Sequence, residues 1–143
     1  MKKIAYFFFI VIAIIVGISY LYINYKASYN QAKKENIQFE SYYNQEIYGT
    51  DLTTVINKAI DRNTDNNIEK DKKGFYIPND TNSINMDIRI TDNNTVYKME
   101  TFFNNQMDKF VQYYGQVKFK CTKIEYHNDT KKIKYLLFEQ IAE

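Results

Sequence analysis

The chain opens on an unbroken apolar stretch: residues 4–23 (IAYFFFIVIAIIVGISYLYI) carry no charge and only Gly17, Ser19 and tyrosines as mild interruptions. Twenty residues at about 1.5 Å of rise span roughly 30 Å, the hydrocarbon thickness of a bilayer, so the stretch predicts a transmembrane helix. It is longer than the apolar region of a cleavable signal and lacks a small-x-small cleavage site. The tyrosines at 20, 22 and 25, followed by Lys26, have the order of an aromatic belt and a cation at a membrane boundary. A retained anchor is therefore expected over 1–25. Lys2 and Lys3 before the stretch are nearly balanced by Lys26, Lys33 and Lys34 after it, so charge alone does not decide the orientation. Two lysines directly beside the apolar start have the form of an export-signal n-region, and on that ground the amino terminus is expected inside and the domain outside the cytoplasm.

Beyond Lys26 the pattern changes to alternating steps of four and three, through Tyr29, Ala32, Asn36, Phe39 and Tyr43, with no Pro or Gly. Such spacing predicts that the helix continues as a stalk over 26–48, whose stripe of Tyr29, Phe39, Tyr43 and Ile47 is a candidate for self-association or for a protein partner. The alternative is that the stripe packs on the protein's own sheet. Gly49 ends the stalk, and Thr50 and Asp51 are expected to cap a second helix, in which Leu52, Val55, Ile56, Ala59 and Ile60 share one face.

A polar run ending at Gly74 then reads as a mobile loop. Within it Asp61, Asn63 and Asp65 match the first, third and fifth positions of a calcium loop. Asn66 replaces its glycine and Lys72 its bidentate glutamate, so no metal site is expected.

Strict alternation at Ile84, Met86, Ile88 and Ile90 predicts a half-buried strand, followed by a turn at Asn93 and Asn94 into a second strand from Thr95 to Met99. Over METFFNNQMDKFVQYY the apolar residues recur every three or four positions until Gly115, predicting one helix. Its Met99, Phe103, Met107 and Phe110 are a candidate apolar groove for a small or lipid-like ligand, or else the face that covers a sheet. The chain closes on two strands joined at Asn128, Asp129 and Thr130, an antiparallel hairpin. The fold class expected is α+β: a membrane helix, a stalk, and over 49–143 a small antiparallel sheet packed with one or two helices.

Composition narrows the function classes. The 19 basic and 17 acidic side chains leave a net charge of +2, which Lys2 and Lys3 account for. The domain is neutral, and no nucleic-acid partner is expected. The single cysteine, Cys121, shares a strand face with Val117 and Phe119, which reads as a buried thiol. The one histidine, His127, adjoins the hairpin turn and reads as a solvated side chain. With one residue of each and no phosphate loop, nucleophile elbow or zinc-helix motif, no enzyme activity and no cofactor are expected. Asn-x-Thr triplets at Asn79, Asn93 and Asn128 arise readily in a chain so rich in Asn and Thr.

An apolar helix running into an amphipathic half, a loop and a small sheet resembles a type IV pilin or pseudopilin. That family's processing site, a small residue before Phe-x-x-x-x-Glu, is not matched by Lys3-Ile4-Ala5-Tyr6-Phe7, and the membrane helix has no acid. The stretch QFESYYNQEIYGTDLTTVINKAIDRN is also similar to small single-pass proteins of low-GC Gram-positive bacteria, a resemblance that implies no activity. The function expected is structural: a single-pass, membrane-anchored protein of the bacterial surface, pilin-like or otherwise assembled through protein contacts. The alternative is an anchored module for a small or lipid-like ligand.

Overall fold

A computed structural model describes residues 2–92 and 94–141. The apolar stretch and the first part of the stalk form one helix, α1 (Lys2–Glu40), whose most apolar 18-residue window has a mean hydropathy of 2.6 and buries none of its residues. After a short turn come β1 (Glu46–Tyr48), α2 (Gly49–Asp65), β2 (Asn85–Ile90), β3 (Thr95–Lys98), α3 (Met99–Asn105), α4 (Met107–Tyr114), β4 (Lys118–Tyr126) and β5 (Ile133–Gln140). The fold is α+β: a long N-terminal helix followed by a five-stranded sheet with helices packed on one side.

The strand order is β1-β4-β5-β2-β3. The β4–β5 hairpin forms as expected, but β2 runs parallel to β5, so the sheet is mixed rather than purely antiparallel. Parallel neighbours need a long crossover, which α3, α4 and β4 supply. On the helix side Met86, Ile88 and Ile90 of β2, Phe119 and Cys121 of β4, and Ile133, Leu136 and Phe138 of β5 are all buried. They meet the predicted face of α2, where Leu52, Val55, Ile56, Ala59 and Ile60 are buried together. The opposite side is polar and paired across strands: Arg89 with Glu139 at 2.5 Å, and the Tyr135 hydroxyl donating to Asp87 at 3.0 Å.

Three local expectations are corrected. The α2 cap position is Tyr48, with no side-chain cap. Instead the N–H groups of Gly49 and Thr50 donate to the carbonyls of Val117 (2.9 Å) and Gly115 (3.1 Å). The approach is so close that a Cβ on Gly49 would lie 2.0 Å from the Tyr114 carbonyl oxygen, which excludes any side chain there.

The predicted single helix breaks at Gln106, where φ is −133°. In a straight helix Phe102 and Phe110 would stand about 12 Å apart along the axis. The break brings their rings to 4.5 Å, and Phe110 also stacks near Phe119 at 5.8 Å. Burial of these rings outweighs helix continuity.

The polar run before Gly74 is tied down by Asp71, whose Oδ1 accepts the N–H groups of Lys73 (2.8 Å) and Phe75 (3.0 Å). The N–H bond from Phe75, with that from Lys73 and the nearby lysine, holds this carboxyl below the usual carboxylate range.

Candidate functional site

The long apolar helix does not end where the head begins. Its last turns are built into the head. Ala32, Asn36 and Phe39, spaced four and three apart, are buried. Phe39 enters the main core, a burial of about 2 kcal/mol. Ala32 gives the room for close approach, and Asn36 supplies the hydrogen bonds. Its Nδ2 donates to the Lys131 carbonyl at 2.8 Å and its Oδ1 accepts the Ile133 N–H at 3.0 Å. Both partners would otherwise be unpaired backbone at the end of the hairpin.

Charge adds a second tie. Glu35 pairs with Arg62 of α2, and with Lys132 at 2.9 Å. Burial works to raise the Glu35 carboxyl, but the hydrogen bonds from Lys132 and Gln31 and the Arg62 charge outweigh it, and the pKa lies below the usual range. One turn on, Glu40 accepts the Tyr126 hydroxyl at 2.9 Å. Burial first, and then Glu40, push that phenol up to about 12. Past the helix, the Asn44 N–H donates to the Cys121 carbonyl at 3.0 Å, and β1 pairs Ile47 with Phe119. The outer edge of β4 is therefore paired over Lys118–Cys121 by β1 and the turn, and Glu40 of α1 holds Tyr126 at its far end.

This placement splits the predicted partner stripe. Tyr29 and Phe39 are on α1, the first exposed and the second core, but α1 stops at Glu40, short of the expected 48. Tyr43 lies in the exposed turn and Ile47 on β1, because this segment gains backbone pairing with β4 that a continued helix would forgo. The four residues of the expected apolar groove are likewise divided. Met99 and Phe110 are buried in the core, Met107 is half-buried against it, and Phe103 points outward at 41% exposure.

The calcium-loop positions are not on a loop. α2 continues through Asp61, Asn63 and Asp65, and Asn63 is completely buried. Its Nδ2 donates to the Ile84 carbonyl and its Oδ1 accepts the Ile84 N–H, both at 2.7 Å. Both polar ends of the side chain are turned onto Ile84. Among the described residues no group of three His, Cys, Asp or Glu side chains is placed to hold a metal.

His127 is also corrected: it is buried, and its Nε2 stands 2.8 Å from the Ser83 carbonyl. A carbonyl only accepts, so Nε2 carries the proton. The ring pins the 79–84 loop to the hairpin beside a polar cavity of about 490 Å³ that Asp80, Glu125, Asp129 and Lys134 also line. Cys121 is buried as expected; desolvation raises its thiol to about 11. Asn79 turns its Oδ1 onto the N–H groups of Thr81, Asn82 and Ser83, while Asn128 is exposed in the turn. Asn93 lies outside the described residues.

Sequence reasoning placed Asn36 in the stripe without a role, and gave none to Glu35, Lys132 or Tyr126. The one available signal was a polar residue at a position where every burial pattern asks for an apolar one. Compared with protein-family models, with curated proteins and with solved structures, the chain matches none.

Proposed function

We propose that this chain is a single-pass, membrane-anchored protein with a structural or assembly role, its head held outside the cytoplasm. The observation that carries the reading is α1 itself. Its apolar part, with none of its most apolar window buried, continues without a break into turns that are built into the head. A flexible tether would let a catalytic or ligand-binding head sample its surroundings. A helix locked through Asn36, Glu35 and Phe39 instead presents the head at one height and one angle, which is what repeated protein contacts require.

The non-enzymatic reading rests on the residues available for chemistry. The lone thiol is buried and raised in pKa, and the lone imidazole is committed to Ser83. In a pilin-like variant of this proposal, the apolar face of α1 packs against other copies instead of lipid.

The deciding experiment is the intact mass of the chain from its native host, measured separately in sheared surface material and in the membrane fraction. Recovery in the sheared fraction supports an assembly through α1. Full-length chain confined to the membrane supports a plain anchor, and crosslinking in intact cells then identifies what the head contacts. A chain found free in the medium without residues 1–25 sinks the anchored reading.

A further inference from the structure

When residues 4–23 span the hydrocarbon core, Ile23 marks its boundary, and the headgroup layer beyond it is about 5–7 Å deep. Four or five helical residues rise through that depth. Asn24, Tyr25 and Ser28 fall in the interval, and the structure lays the β4–β5 turn against them. With Thr130, Lys131 and Lys132 they line a cavity of about 400 Å³. The hairpin tip thus reaches back along α1 to the level where the apolar stretch ends. With α1 as an anchor, that level is the headgroup layer.

The chemistry of that notch suits a phosphate. Lys131 and Lys132 line it with Asp129, and Lys33 lines the adjoining cavity with Lys131 and Glu40, while Lys26 follows Tyr25 on α1. Lys132 is shared with Glu35, whereas Lys131 is exposed. Its backbone is held at φ 58° by its N–H bond to the His127 carbonyl at 3.1 Å. Tyr25 and Tyr29 stack with centroids 6.4 Å apart, giving the notch an amphipathic aromatic wall of the kind that settles at headgroup depth.

We propose that this notch binds the headgroup phosphate of an anionic phospholipid, with Lys131 as its principal cation, so that the β4–β5 turn is a second membrane contact that orients the head. The inference rests on the reading of α1 as an anchor. Basic side chains next to a span are drawn to anionic leaflets, and here the fold adds two from a distant part of the chain.

The test uses the full chain in vesicles of phosphatidylcholine, with and without phosphatidylglycerol. A fluorophore is placed in turn at Asn128→Cys in the turn, Ile12→Cys in the apolar stretch and Tyr113→Cys on α4, at the far end of the head. Cys121 stays, since its buried thiol is out of reach of the label. Quenching by headgroup-labelled and by chain-labelled nitroxide lipid is then read. The expected result is headgroup quenching at position 128 that rises at least about twofold with phosphatidylglycerol. Lys131→Gln should remove that rise, free inorganic phosphate at millimolar level should not, and position 113 should remain unquenched.

If position 12 is quenched from the chains while position 128 is not quenched in either vesicle, the notch is overturned and the anchor stands. If position 12 is unquenched, the anchor reading fails and this inference fails with it. Equal quenching at 128 in both vesicles, or loss of the rise on adding free phosphate, overturns the specific role of the anionic lipid.

Discussion

Asn36 on the long helix accepts the backbone N–H of Ile133 at 3.0 Å, across a separation of 97 residues. The same amide donates to the Lys131 carbonyl, so one side chain closes both sides of the hairpin's entry into β5. Asn36→Ala would leave a buried donor and acceptor unpaired at about 1–3 kcal/mol each before relaxation, and a net loss of about 3 kcal/mol is expected. Asn36→Asp keeps the acceptor but sets a carboxylate oxygen against the Lys131 carbonyl, and should lose at least as much at neutral pH. Urea unfolding of the detergent-solubilised chain, followed by near-ultraviolet circular dichroism, measures both. A loss below about 0.5 kcal/mol for the alanine variant would mean that helix and head are not coupled through this residue.

Asn63 plays the equivalent part for α2, holding both backbone groups of Ile84 at 2.7 Å. Asn63→Ala should cost about 2–3 kcal/mol, because both backbone groups of Ile84 lose their partner in a buried site. Millimolar calcium should leave the thermal midpoint of the native chain unchanged, since Asn63 is buried and turned onto Ile84. A calcium-dependent rise of several degrees would restore a metal role to Asp61 and Asp65.

The Cys121 thiol, raised by burial from its ordinary 9.0 to about 11, should be inert in the folded chain. At pH 8 its reaction with an aromatic disulfide reagent is expected to be slower by two orders of magnitude or more than in urea, on the order of its lost thiolate fraction together with its burial. The folded state holds the thiol proton more tightly than the unfolded state does. This contribution to stability is therefore complete below pH 9 and is lost as the pH rises from about 9 to about 11. Equal rates with and without urea would show that the β4 edge opens readily.

Glu35 has the opposite sign. Burial opposes its ionisation, but Lys132, Gln31 and Arg62 together hold its carboxyl below the ordinary 4.5. Stability from this group is present above pH 4.5 and declines as the pH falls through the lowered value. Glu35→Gln should cost about 1 kcal/mol at neutral pH and should flatten the acid limb of the stability curve. An unchanged acid limb would assign acid sensitivity to other carboxylates.

Much of the architecture was legible in the chain because it is encoded within a turn or two of itself. The uncharged run of 4–23, the α2 face from Leu52 to Ile60, the alternation in β2 and the β4–β5 hairpin all follow from periodicity over neighbouring residues. The end of α1 was misjudged by several residues, since Tyr43 and Ile47 keep helical spacing while their backbone takes its partners from β4. The break at Gln106 had no local breaker to announce it. It exists so that Phe102 and Phe110 can meet.

The sequence by itself determined an apolar helix long enough to cross a membrane, a neutral α+β head, and the faces its helices and strands would bury. Only the tertiary structure decided that β2 lies parallel to β5, that the end of α1 is built into the head, and that the β4–β5 turn returns to the end of the apolar stretch. It also decided the fates of Asn36, which the stripe left without a role, and of Asn63 and His127, which look solvated in the chain; all three are buried in the fold. The physical reason is the same in each case. A polar side chain can be buried when it satisfies a backbone group, and those backbone groups lie 97, 21 and 44 residues away, beyond the reach of any local pattern.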